Sequence, residues 1–178
     1  IRLAHALDRG FADEFSETDE LYSPEYSTFE PTRHEKNVPN VNTVPGSEVF
    51  SFDCRVLPRY DLDEVLTYAR EVAAKVDEEM GIKTRVEVEN RLDAPAPTAP
   101  DAPLVSLLQN SIKRVYDADA EPMGIGGSTV AAYFRRKGYP AVVWSRVTAT
   151  AHQANECCLI PNMVGDSKVF AHLFLQGT

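Results

Sequence analysis

EVFSFDCRVLPRYDLDEVLTYAREVAAKVDEEMG, residues 48–81, decides the fold of the first half of this chain. Residues 50–56 alternate between apolar and polar, which predicts a strand with one buried face. That face would comprise Phe50, Phe52, Cys54 and Val56. Apolar residues then recur at helical spacing between Asp61, the expected N-cap, and Gly81, which is expected to end the helix. The stripe expected to be buried comprises Leu62, Val65, Leu66, Ala69, Val72, Ala73, Val76 and Met80.

The flanking segments complete a mixed α/β pattern. Residues 1–15 carry apolar residues at helical spacing, residues 22–36 favour an extended segment, and residues 82–91 alternate again and predict a second strand. Helix, strand, strand, helix, strand is a split βαβ, ferredoxin-like arrangement that lacks its first strand. Because the first helix starts at residue 1 without an N-cap, we expect the sequence to begin inside a larger protein.

A proline-rich connector separates two parts with different patterns. LDAPAPTAPDAP, residues 92–103, has four prolines among alanines and predicts an extended linker. We therefore expect one domain over residues 1–94, a connector over 95–103, and part of a second domain over 104–178.

The part after the connector alternates helices with short strands. Strands are predicted at 121–124 and 140–145, and the second is apolar throughout, as in a strand covered on both faces. Helices are predicted at 103–117, 128–138 and 161–175. This alternation predicts the C-terminal portion of a mainly parallel αβα domain.

Composition argues against several classes of function. The net charge of −9 argues against a nucleic-acid surface, because phosphates would be repelled. No apolar run approaches the roughly 20 residues that span a bilayer, which argues against a membrane protein. The three cysteines are odd in number and lack CxxC spacing, so neither a disulfide framework nor a zinc knuckle is indicated. The cytoplasm is the default compartment.

Two features of the sequence are candidates for binding an anion. GIGGST, residues 124–129, lies between a predicted strand and a predicted helix, which Ser128 or Thr129 could cap. Such a turn either binds carboxylate or phosphate at the helix N-terminus or is only a tight connection. Arg55 is either an exposed ion-pair partner of Asp53 or a guanidinium that binds a carboxylate.

His152, in VTATAHQANE (residues 147–156), is the candidate metal ligand. It follows the predicted buried strand, and sites in α/β sheets lie in loops at the C-terminal ends of strands. A solvated loop histidine is the alternative. Glu156 could accept a hydrogen bond from the imidazole and fix its tautomer. His5, His34 and His172 are assigned to the surface, and burial is expected for at least one of the neighbouring Cys157 and Cys158.

Taken in series, these stretches resemble one family. EPTRHEKNVPNVNTVPGSEVFSFDCRVLP, residues 30–58, resembles the lid (dimerisation) domain of the zinc-dependent amidohydrolases. That family includes succinyl-diaminopimelate desuccinylase, acetylornithine deacetylase, aminoacylases and several carboxypeptidases. GIGGSTVAAYFRRKGYPAVVWS, residues 124–145, and AHQANE, residues 151–156, resemble the C-terminal part of the same family's catalytic domain. The resemblance implies a partial lid domain followed by part of a catalytic domain.

The resemblance also implies roles for individual residues. His152 corresponds to the family's C-terminal metal ligand, on the second of two zinc (or cobalt) ions. Asn42 and Arg55 correspond to lid positions that reach the substrate and bind its carboxylate. The loop that lines the substrate pocket corresponds to Gly126, Gly127, Ser128 and Thr129.

The implied activity is the removal of a succinyl or acetyl group from an N-acyl amino acid, or the release of a C-terminal residue from a peptide. The resemblance also implies a homodimer formed through the lid. The family's HxD motif is absent from this sequence, and its glutamate pair and further aspartate are expected upstream of the lid. The chain alone is therefore expected to be inactive. The alternatives are a dimerisation module without catalysis and an amino-acid-binding sensor.

Overall fold

The computed structural model describes residues 1–151 and 153–176. The chain divides into two compact units, one of residues 1–94 with 124–126 and one of residues 95–123 with the chain from 127 onward. The elements in chain order are α1 (Arg2–Glu14), β1 (Tyr22–Ser23), β2 (Thr28–His34), β3 (Phe50–Arg55), α2 (Leu62–Met80), α3 (Pro103–Tyr116), β4 (Gly124–Ile125), α4 (Ala131–Arg136) and α5 (Ile160–Gln176). No helix in the described ranges is long and apolar enough to cross a bilayer.

An aromatic cluster forms the centre of the first unit. The ring of Phe11 on α1 stacks on that of Phe29 on β2, with centroids 4.5 Å apart and planes 13° apart. Tyr68 of α2 lies 5.8 Å from Phe11, and Phe52 of β3 lies 6.1 Å from it. The cluster therefore joins both helices and both long strands of the unit, and the apolar stripe predicted for residues 1–15 is confirmed.

The α2 helix begins and ends where the sequence predicts. The Asp61 side chain accepts a hydrogen bond from the backbone N–H of Asp63 at 2.8 Å, and Gly81 ends the helix with φ +64°. Glycine suits that position because its left-handed conformation strains other residues. Most of the predicted stripe is buried or half-buried, but Met80 is exposed.

β2 and β3 pair antiparallel as a long hairpin. Thr28 lies opposite Arg55 and His34 opposite Phe50, with an irregular register between Pro31 and Arg33. The strand predicted around residues 50–55 is confirmed. Within its apolar face, Phe50, Phe52 and Val56 pack against the core, whereas Cys54 is exposed.

The prediction of a strand at residues 82–91 is wrong, because these residues form no strand in the structure. Thr84 instead uses both its backbone N–H and its hydroxyl to donate to the Asp77 carboxylate, at 2.7 and 2.5 Å. Arg91 bonds to Asp63 and Asp93. Side chains of α2 thus hold this segment where a ladder was expected. The mixed α/β class is confirmed, and the split βαβ topology stays a prediction.

The second unit is built on packing between α3 and α5. Leu108, Ile112 and the fully buried Val169 form its centre. Ser111 is also fully buried, and its hydroxyl donates to Leu107 O at 2.9 Å and accepts from the Gln176 amide at 2.8 Å. The helices predicted at 103–117 and 161–175 are therefore confirmed. On the second helix, Phe170 is 39% exposed and Phe174 is 78% exposed.

The parallel sheet predicted for the second part does not form within the described residues. The parallel pair that does form is β1 with β4, in the first unit, and β4 lies at 124–125 instead of 121–124. Residues 140–145 are not a strand, and Val143 is 64% exposed. The backbone N–H and C=O of Ala141 both bond to the Thr98 hydroxyl, at 2.9 and 2.8 Å. An apolar segment becomes a central strand only where neighbouring strands supply ladder partners, and this unit supplies none in its described part.

Replacing Phe11 by Ala should lower the free energy of unfolding by about 3–5 kcal/mol, because the cavity would lie among rings of four elements. Phe174→Ala is the matched control, since that ring is also helical but 78% exposed, and it should cost less than about 1 kcal/mol. Urea denaturation followed by circular dichroism measures both. Equal losses in the two variants would contradict the assignment of the aromatic cluster as the core.

Candidate functional site

Arg55, the last residue of β3, is held by two contacts. Its Nε donates to Asp53 Oδ2 at 2.6 Å, and its Nη1 donates to the carbonyl oxygen of Gly126 at 2.6 Å. The Asp53 contact comes from the same face of the strand, two residues away, as the alternation predicts. The Gly126 contact comes from a backbone 71 residues along the chain. The structure thus brings together two of the residues that the sequence singled out.

The Arg55 guanidinium remains available for a further partner. Its side chain is 53% exposed, and the two bonds use two of its five N–H donors. The carboxylate of Asp53, 46% exposed, offsets part of the positive charge. As a surface ion pair the contact contributes about 0–1 kcal/mol to stability. Its chemical capacity is to present a fixed, planar set of donors to an anion.

Gly124 and Gly126 in the GIGGST stretch occupy different structural environments. A Cβ at Gly124 would overlap the ring of Tyr22, because β4 lies directly against β1 there. A Cβ at Gly126 would lie 3.6–3.8 Å from the side chain of Arg55, an ordinary contact distance. Steric closeness therefore requires glycine at 124, whereas at 126 the backbone carbonyl makes the contact with Arg55.

Gly127, Ser128 and Thr129 belong to the second unit. The prediction that Ser128 or Thr129 caps the next helix is wrong: α4 has Val130 at its N-cap position and no side-chain cap bond. The Thr129 carbonyl accepts from Ala132 N–H at 3.1 Å. Its hydroxyl oxygen is buried and has no hydrogen-bond partner among the residues that the structure describes.

Asn42 lies on the loop between β2 and β3. It is exposed, as are Val41 and Val44 on either side of it. No hydrogen bond among the described residues links Asn42 to Arg55.

His152 lies outside the described residues, so its predicted role as a ligand stays a prediction. Glu156 is exposed, and its backbone N–H donates to Gln153 O at 3.2 Å. The burial predicted for Cys157 or Cys158 is wrong, because both are exposed. The hydroxyls of Thr148 and Thr150 bond to the backbone of Cys157 and hold this turn by its main chain, leaving the thiols outside.

The described residues do not by themselves fit a metal centre. No group of three or more His, Cys, Asp or Glu in residues 1–151 and 153–176 could hold an ion. Of the histidines assigned to the surface, His34 pairs with Glu48 at 2.8 Å, His5 is exposed and His172 is partly exposed. A catalytic zinc site takes three protein ligands, which this set does not supply.

Sequence reasoning missed the carbonyl of Gly126 as the second partner of Arg55. A backbone acceptor carries no residue-type signal, and the contact depends on the β1–β4 pairing, between strands of only two residues each. The Gly124–Tyr22 approach was missed for the same reason.

Comparison with known proteins identifies the family. Residues 11–176 match the model of peptidase family M20/M25/M40. The chain belongs to this family. The membership expected from the resemblance is confirmed.

Two curated relatives of the M20/M25/M40 chain come from methanogenic archaea. An uncharacterized metallohydrolase of Methanocaldococcus jannaschii is 37% identical over 96% of this chain and 43% of its own length. An uncharacterized metallohydrolase of Methanococcus maripaludis is 32% identical over 94% of this chain and 44% of its own length. The chain therefore spans less than half the length of these relatives.

A solved structure has a similar fold. The crystal structure of an M20 family metallo-carboxypeptidase, Sso-CP2 from Sulfolobus solfataricus, superposes with a TM-score of 0.53 at 16% identity. The match covers 93% of this chain and 40% of the carboxypeptidase. It supports a mixed α/β fold of this family.

Alkylation of Cys54 should be slow at neutral pH and should accelerate about tenfold per pH unit up to its pKa. Cys54 is exposed as a residue, but the atoms packed around its thiol desolvate it, and this desolvation, followed by the charge of Asp53, raises the pKa of the thiol from 9.0 to about 11. The unfolded thiol loses its proton first, so this group also lowers stability as pH rises from 9.0 towards 11.

Iodoacetamide labelling of a Cys157→Ser, Cys158→Ser variant isolates Cys54. The same chain in urea is the control and should level off near pH 9.0. A folded chain whose labelling rate also levels off there would contradict the raised pKa.

Proposed function

We propose that this chain forms the substrate-binding part of a metal-dependent amide hydrolase. The enzyme removes an acetyl or succinyl group from an N-acyl amino acid, or releases a C-terminal residue from a peptide. The single observation that carries the proposal is the Arg55 guanidinium, fixed by Asp53 and Gly126 and still exposed. Both classes of substrate present a free carboxylate, and a fixed guanidinium is well suited to bind one.

Fixing Arg55 favours binding for a physical reason. A long arginine side chain loses about 2 kcal/mol of rotamer freedom when it is ordered. Contacts made before substrate arrives hold the side chain in place in advance, so less of that freedom is lost on binding.

The remaining roles come from the family resemblance and stay proposals. Asn42 would contact the substrate from its exposed loop. Gly126, Gly127, Ser128 and Thr129 would line the pocket. Glu156 would support the His152 imidazole.

Zinc is the proposed metal, as two ions in the whole enzyme, with cobalt as the alternative. His152 is the ligand that we propose from this chain. The described residues hold no group of three or more His, Cys, Asp or Glu that could bind a metal ion. We therefore propose that the other ligands and the general base lie in polypeptide outside this chain. The greater length of the archaeal metallohydrolases supports this division. The 178-residue chain alone would then be inactive.

Arg55→Ala in the whole enzyme should raise KM for N-acetyl and N-succinyl amino acids about 10- to 100-fold. That range corresponds to a lost charge-assisted hydrogen bond of about 1.5–2.7 kcal/mol. The same variant should leave KM unchanged for substrates whose carboxylate is replaced by a carboxamide. Steady-state kinetics on both substrate series measure the difference.

Arg59→Ala is the matched control. Arg59 is also exposed, pairs with Glu17 at 2.7 Å and donates to the carbonyl of Thr18 at 3.1 Å, so its contacts are of the same kind. It should change neither KM. Equal losses of acid and amide substrates in Arg55→Ala would rule out carboxylate binding by this residue.

A homodimer is a second candidate function, and it is compatible with the first. β2 and β3 form a two-stranded sheet, so within the described residues each strand pairs along one edge alone. Strand edges pair readily with other chains, and a C2 dimer would use the same edge twice.

Sedimentation velocity over a range of protein concentrations should show a monomer–dimer equilibrium. If the dimer forms through the free edge of β2, proline placed in β2 should shift the equilibrium to monomer and proline in β3 should not; a dimer through β3 reverses the two results. A monomer at every concentration would contradict dimerisation by this chain.

A further inference from the structure

A groove runs between the C-terminal end of α3 and one face of α5. Its volume is about 620 Å³, within the size range of small-molecule sites. We propose that this groove binds a small organic anion that carries at least two negative charges and an apolar part.

Three basic side chains line the groove from two helices. Arg114 comes from α3, and Lys168 and His172 lie four residues apart on α5, on one face of the helix. No acidic side chain lines the groove within the described residues. The whole chain has a net charge of −9, so a groove whose charged residues are all basic differs from the chain's overall acidic character.

The carboxylates near the groove already have other partners. Asp166 accepts from the Tyr116 hydroxyl at 2.8 Å, from the Ser145 hydroxyl at 2.9 Å and from the Arg146 N–H at 3.2 Å. Asp117 and Asp119 each pair with Lys113 at 3.2 Å. None of these bonds, all between described residues, uses Arg114, Lys168 or His172, so the donors of these three side chains remain for an external anion.

The remaining wall of the groove is apolar. Ile160 and Val164 from α5 are 74% and 50% exposed, and Val115 lies across from them on α3. A Cβ at Gly165 would overlap the Tyr116 ring, so glycine allows the two helices to approach closely here. An apolar portion of a ligand would bury these surfaces, while its charged groups meet the cations.

Stabilisation of helix dipoles explains only part of the basic lining. Arg114 lies in the last turn of α3, where a cation interacts favourably with the helix end. α5 has no basic residue in its last turn, so Lys168 and His172 have no such role. Their convergence with Arg114 is what a ligand site would require.

Trp144 provides an intrinsic reporter for the groove. It is the only tryptophan in the sequence, and its ring lies 5.8 Å from that of Tyr116, which lines the groove. Titration of the 178-residue chain with trimesate, an aromatic ring with three carboxylates, should give a saturable fluorescence change. Inorganic phosphate, which lacks an apolar part, should bind at least tenfold more weakly.

The double variant Arg114→Gln, Lys168→Gln should lower trimesate affinity at least tenfold. Its matched control is Arg70→Gln, Lys75→Gln, which removes the same charges from exposed positions on α2. Both double variants remove positive charge equally, so they share any loss of general electrostatic attraction. The control should change affinity less than twofold, because its two positions do not line the groove. Thermal melts by circular dichroism check that both variants fold.

Two results would overturn the proposal. One is the absence of saturable trimesate binding to the unmodified chain. The other is an equal loss in the two double variants, which would mean that net charge alone attracts the anion. Phosphate binding as tight as trimesate binding would overturn the apolar part of the assignment.

Discussion

The stacking of Phe11 on Phe29 is the contact on which the first unit depends. It fastens α1 to β2, and the neighbouring rings of Phe52 and Tyr68 extend the cluster to β3 and α2. Aromatic rings bury large areas and pack in defined geometries, so one such cluster can fix four elements at once. Arg55 ends the strand that this cluster orients, and its position therefore follows from packing at the other face of the hairpin.

Local patterns predicted those helices and strands whose signals lie within the element itself. α2 combines an apolar stripe, an Asp61 cap and a Gly81 terminus, and all three signals act over one helix. β3 was predictable because its alternation matches the core beside it. By contrast, residues 82–91 and 140–145 have strand-like sequences but no ladder in the described structure. Whether such segments become strands depends on neighbours, which periodicity does not describe.

The candidate site follows the same division. The sequence indicated Arg55 and its exposed partner Asp53, because alternation places both on one face. It did not indicate the Gly126 carbonyl, which reaches Arg55 through a pairing of two-residue strands. It also overestimated the cap at Thr129, because α4 has Val130 at its N-cap position and no side-chain cap bond. The Arg55–Asp53 pair was readable from residue type and spacing, whereas the contact of Arg55 with the Gly126 backbone was not.

The bond between Thr98 and Ala141 has a directional consequence. In an extended chain, the N–H and C=O of one residue point to the same side. One hydroxyl occupies both groups of Ala141, and Arg135 adds a second donor to the same oxygen at 3.1 Å. Thr98, in the connector, thus occupies the hydrogen-bonding groups of Ala141 on one side of the apolar segment. A strand that joins this segment at Ala141 without displacing Thr98 must therefore pair along the opposite side.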